Sequence, residues 1–72
     1  MRSRKYWTLI QRNDANSPWR IEYGSFDVRD TVGELDEYVD AGFDEAHLKV
    51  ICTGGEQADI DAEVAALNGG AK

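Results

Sequence analysis

One cysteine, one histidine and one proline are all that 72 residues contain of three structurally decisive types. A single cysteine cannot close an internal disulfide, and a single histidine cannot build a metal cage. Packing alone must therefore hold the chain, and a domain this small buries only about 60% of the surface its unfolded form exposes. A core of that size leaves roughly 3–5 kcal/mol of stability, so association with itself or a partner is one ordinary way to bury more. An apolar content of 42%, with two Trp, three Tyr and two Phe, is enough for a packed core and argues against disorder.

Long hydrophobic runs are missing as well. Tyr6 to Ile10 gives way at once to Gln11, Arg12, Asn13 and Asp14, too short a run for a membrane span or the apolar centre of a secretory leader. Cys52 lies in an apolar stretch and fits a reducing compartment, where it would be a small buried thiol. The expectation is a cytoplasmic protein of one domain over residues 1–72, with 1–4 a flexible basic tail and 69–72 a frayed end.

Positive charge is scarce, with eight Lys and Arg against fourteen Asp and Glu, a net charge of −6. It is also unevenly placed. Residues 1–20 carry Arg2, Arg4, Lys5, Arg12 and Arg20 against Asp14, a local net of +4, while the remainder sets thirteen acids against Arg29, Lys49 and Lys72, a net of −10. A basic start joined to an acidic body implies two electrostatic faces, for steering a partner or for self-association.

Residues 5–12, rich in aromatic and β-branched types, predict a strand. Turn formers collect from Asn13 to Pro18, and Trp19 to Tyr23 then alternates apolar and polar, which predicts a hairpin. Asp27 can cap a helix running to about Ala41, with Gly42 as its stop. On that helix Val28, Val32, Leu35 and Val39 form one stripe, extended by Phe43, and Asp30, Glu34 and Glu37 lie opposite. Leu48 to Cys52 predicts a third strand whose continuous apolar character suggests an interior place in the sheet. Thr53 and Glu56 have capping-box spacing before a second helix to about Leu67, buried through Ile60, Val64 and Leu67 and stopped by Asn68-Gly69-Gly70. The order ββαβα predicts a small two-layer α+β domain, a three-stranded sheet with two helices packed on one face. Its expected core is Trp7, Leu9, Trp19, Ile21, Tyr23, Val50 and the helix stripes, with Tyr6, Thr8 and Ile10 competing for the interior of the first strand.

No catalytic, cofactor or metal motif survives inspection. Asp44-Glu45-Ala46-His47 spells the tetrad of the DEAH-box helicases, yet it precedes a strand, and no phosphate-binding G-x-x-x-x-G-K-[ST] exists in the chain. Thr53-Gly54-Gly55 has no lysine to meet a phosphate, and Glu56, Asp59 and Asp61 would repel one. His47 and Cys52, five residues apart, would fall on opposite faces of a strand, so they do not make a nucleophile and base. The helix carboxylates have no apolar neighbours to desolvate them for acid and base work. The chain therefore reads as non-enzymatic.

What remains is an acidic surface of Asp27, Asp30, Glu34, Glu37, Asp40, Asp44 and Glu45, joined by Asp36 and opposed only by Arg29. It exceeds what solubility demands and suits a basic protein surface, such as that of a nucleic-acid-binding host complex. In size and acidity the chain is similar in kind to the small inhibitors that phages and plasmids aim at host defences, anti-CRISPR and anti-restriction proteins among them, although no residue motif carries the likeness. Two other readings stand beside this one. The basic hairpin of one chain could meet the acidic helix of another in a salt-sensitive homodimer. The cations and tryptophans of the hairpin (Arg2, Arg4, Lys5, Trp7, Arg12, Trp19 and Arg20) could instead hold single-stranded nucleic acid, which the net charge of −6 opposes.

Overall fold

A computed structural model describes residues 5–69. Strand β1 (Lys5–Gln11) turns back into β2 (Arg20–Ser25), and helix α1 (Val28–Asp40) follows. A 3-10 turn (Glu45–His47) leads into β3 (Leu48–Gly54), and α2 (Gln57–Leu67) closes the chain. The strands make one antiparallel sheet in the order β2-β1-β3, so the fold is α+β with the ββαβα order that the sequence indicates. No described helix is long and apolar enough to cross a membrane. The basic tail Arg2 and Arg4 and the C-terminal residues 70–72 lie outside the described residues.

The centre of the sheet is β1, not β3 as the apolar run suggested. Both edges of β1 are bonded, to β2 on one side and β3 on the other, whereas β3 has one free edge. The consequence shows in burial: Thr8, Leu9, Ile10 and Gln11 are buried in succession. Successive residues of a strand point to opposite faces, so both faces of β1 are covered at its middle. On the face of Tyr23 and Ser25, α1 packs with its Asp30 carboxylate bonded to Ser25. On the face of Tyr6 and Thr8, Ile60 of α2 is buried and shares a hollow of about 270 Å³ with them, so the two helices cover opposite faces of the sheet and not one face as the sequence suggested. Along β3 only Leu48 and Ile51 are buried, Val50 is half-buried, and Cys52 is exposed instead of filling the core.

A bulge explains why the strict alternation of β2 misleads. Leu9 faces Tyr23 across the ladder and Ile10 faces Ile21, which leaves Glu22 as an extra residue. Ile21 and Tyr23 thus fall on different faces, and Ile21 is 45% exposed. Trp7 and Trp19, both expected in the core, are half-buried.

Helix α1 starts as expected, with the Asp27 side chain accepting from the Arg29 N–H at 2.9 Å. Its end is a Schellman turn: Gly42 has φ +105°, Gly42 N–H donates to Val39, Phe43 N–H donates to Tyr38, and the Phe43 and Tyr38 rings pack 5.0 Å apart. The buried side differs from the expected one. Thr31 has no exposed surface and donates its hydroxyl to the Trp7 carbonyl at 3.2 Å, while Val28 and Val32 are 37% and 41% exposed. At 100° per residue the apolar stripe is turned about 70° from the sheet-facing direction. A short side chain that can bond the β1 backbone lets α1 approach closely, and this decides the rotation over the valines.

Helix α2 begins three residues later than the capping-box spacing predicts. β3 runs on to Gly54, Thr53 Oγ1 donates to the Gly54 carbonyl, and Glu56 holds the cap position with no side-chain bond to the helix. Its far end is fixed by Asn68, whose amide accepts from Trp19 N–H at 2.6 Å and donates to the Trp19 carbonyl at 3.3 Å. That clip ties the end of α2 to the start of β2.

Candidate functional site

The acidic residues of α1 are not one patch. At 100° per residue Asp30, Glu34 and Glu37 share the flank toward β2, the apolar stripe takes the other flank, and Asp36, Asp40 and Arg29 point outward from the sheet. Asp30 and Glu37 are exposed and Glu34 is half-buried. The sheet extends this flank. Tyr38 donates its hydroxyl to Glu22 Oε1 at 3.2 Å, and Ser25 Oγ donates to Asp30 Oδ2 at 3.2 Å while accepting from the Asp27 N–H. Burial raises the Tyr38 hydroxyl above its ordinary pKa, helped by the Glu22 bond and by the charges of Glu22 and Glu34. Burial likewise raises Tyr23, with the Asp30 and Glu34 charges adding to it. The two phenols therefore report a carboxylate group made of Glu22, Asp30 and Glu34. Glu22 is a member that sequence reasoning placed only in water; its recruitment depends on the bulge, which leaves no mark in the residue types.

The other acids are occupied or set apart. Asp27 caps its own helix and pairs with Arg29 at 3.3 Å, and the Arg29 side-chain bond, then its backbone N–H, holds the carboxyl below the usual range. Asp44 caps the 3-10 turn by accepting from Ala46 N–H at 2.9 Å, which gives the helicase-like tetrad a purely local job. Asp40 and Glu45 are exposed, Asp40 on the outward side of α1 and Glu45 past the Gly42 turn.

Among the described cations of the hairpin, Arg12 and Arg20 are engaged within the fold. The Arg12 guanidinium stacks 4.5 Å from the Trp19 ring centroid and its Nε donates to His47 Nδ1 at 3.1 Å. Arg20 donates to Gln11 and Asn13. His47 stands half-buried at the entrance to β3, as the sequence suggests. Among the described residues no group of three or more His, Cys, Asp or Glu is arranged to hold a metal ion.

Comparison with protein-family profiles, curated proteins and solved structures gives no match to this chain.

Proposed function

We propose that the protein acts by binding and not by catalysis, presenting the β2-side flank of α1 to a basic surface on a partner protein. The observation that supports this is the row Asp30, Glu34 and Glu37, backed by Glu22, with the only cation of α1 turned away to Asp27. Asp30, Glu34 and Glu37 are spaced by about 6 and 4.5 Å along the helix axis, a like-charged row sparser than the one phosphate per about 3.4 Å of a single strand of duplex DNA but of the same order. The sharper form of the proposal is that the flank imitates a phosphate row and occupies the nucleic-acid site of its partner.

The test compares wild type with the variant Asp30→Lys, Glu34→Lys, Glu37→Lys, after circular dichroism has shown both folded. A partner retained by wild type alone and displaced by duplex DNA supports the mimic. A partner lost on charge reversal but indifferent to DNA supports acidic docking without mimicry. Equal binding by the two proteins rejects the proposal.

A further inference from the structure

Val28, Val32, Leu35 and Val39 repeat at four, three and four residues, the spacing of d and a positions in a coiled-coil heptad. A seam of this kind would normally face its own sheet. Here Thr31 takes that place, Val28 and Val32 stay 37% and 41% exposed, and Leu35 and Val39 are half-buried. Asp30 is bonded to Ser25 of β2, so the seam on the other flank points away from β2. On the sheet face that α1 covers, β3 presents Val50 and Cys52, opposite Leu9 and Trp7, and Cys52 is exposed.

We propose that this seam packs against α1 of a second copy of the chain, antiparallel and about a twofold axis. The charges favour that occupant and that direction. With Val28 and Leu35 at d and Val32 and Val39 at a, Arg29 and Asp36 both fall at e. Antiparallel layers join a to d, Val32 to Leu35 and Val28 to Val39 of the second copy, and then e faces e. Arg29 of each chain, held at 3.3 Å by Asp27 of its own chain but with its side chain 88% exposed, comes beside Asp36 of the other, so that it lies between two carboxylates, twice by symmetry. A parallel pair would set e against g, where Thr31 and Tyr38 offer Arg29 no opposite charge. The last turn of α1 has no basic residue to offset its dipole, and the antiparallel arrangement brings Asp36 and Asp40 toward the positive end of the neighbouring helix. Such a dimer leaves the flank of Asp30, Glu34 and Glu37 free, so it carries two acidic faces.

Sedimentation equilibrium of the full chain over a range of concentrations tests this. A dimer is expected that persists in about 1 M salt, where the Debye length falls to about 3 Å, because its core is apolar. Val32→Glu is expected to raise the dissociation constant at least about tenfold. Circular dichroism should show an intact monomer, since Val32 is 41% exposed. Arg29→Asp and Asp36→Arg are each expected to weaken the dimer about threefold or more, and the double variant to restore it. The Asp30, Glu34, Glu37 variant should keep the dimer, which separates this result from that of the partner-binding test. A chain that stays monomeric at every concentration, a Val32→Glu protein that still dimerises, or a double charge swap without recovery each overturns the proposal.

Discussion

Replacing Thr31 by valine exchanges a hydroxyl for a methyl of similar size at a position with no exposed surface. The loss is the 3.2 Å bond to the Trp7 carbonyl, which contributes about 1 kcal/mol net, with up to about 1–3 kcal/mol if the acceptor is left dry. Burying the added methyl returns about 0.8 kcal/mol. Thr31→Val should therefore destabilise the fold by about 1 kcal/mol. Thr8 supplies the control, being equally buried and β-branched, but its hydroxyl has no hydrogen-bond partner among the described residues. The same exchange at Thr8 removes an unsatisfied buried group and should stabilise by about 1–2 kcal/mol. Urea denaturation of the two variants measures the contrast. With a slope of about 1 kcal/mol per molar for so small a domain, the midpoints should separate by about 2–3 M, on either side of wild type. A Thr31→Val midpoint at or above that of wild type would refute the claim that α1 is oriented by that hydrogen bond, and a Thr8→Val protein less stable than wild type would refute the claim that the Thr8 hydroxyl is an unsatisfied burden.

Gly42→Ala forces a Cβ into the left-handed region at φ +105° with nothing crowding it, so the cost is conformational, about 1–2 kcal/mol. Thermal melting should drop by about 4–8 °C per kcal/mol. Gly24→Ala meets a different obstacle, since its Cβ would lie 2.7 Å from Tyr6 Cε2 and closer still to the hydroxyl. It should cost about 1–3 kcal/mol, and Tyr6→Ala should relieve part of that in a double-mutant cycle. Asp27 has a folded pKa below 3.8, so its contribution is present above the unfolded value and lost as pH falls through the folded one. Asp27→Asn keeps the cap and should flatten the fall in stability below about pH 4. Tyr23 and Tyr38 have folded pKa values above 10.0, so the stability they add is full below pH 10 and declines as pH rises through the folded values. Ultraviolet titration of the phenols should show late ionisation that becomes ordinary on unfolding, and an unshifted titration would contradict the carboxylate group around them.

Elements governed by neighbours in sequence were legible before any contact was known. The Asp27 cap, the Gly42 stop, the turn formers from Asn13 to Pro18 and the apolar α2 stripe around Ile60 each depend on residues within one or two turns. The candidate site was legible in its helical part for the same reason, because four- and three-residue spacings put Asp30, Glu34 and Glu37 on one flank of any helix. Glu22 was not, since its place beside Tyr38 requires a bulge set by pairing between strands about a dozen residues apart. Asp44 looked like surface charge but serves as a cap for a turn too short to show a periodicity.

Composition and periodicity alone determined the class of fold, the order of its elements, the acidic flank and the apolar seam, because each follows from backbone preferences and side-chain spacing within a segment. Tertiary structure decided which strand lies in the middle, where alternation slips, and which side of α1 touches the sheet. Those outcomes turn on long-range contacts, the two ladders of β1 and the Thr31 bond to Trp7. A short polar residue that brings a helix close to a strand backbone can outweigh two valines on the flank, and the valines are then left at the surface.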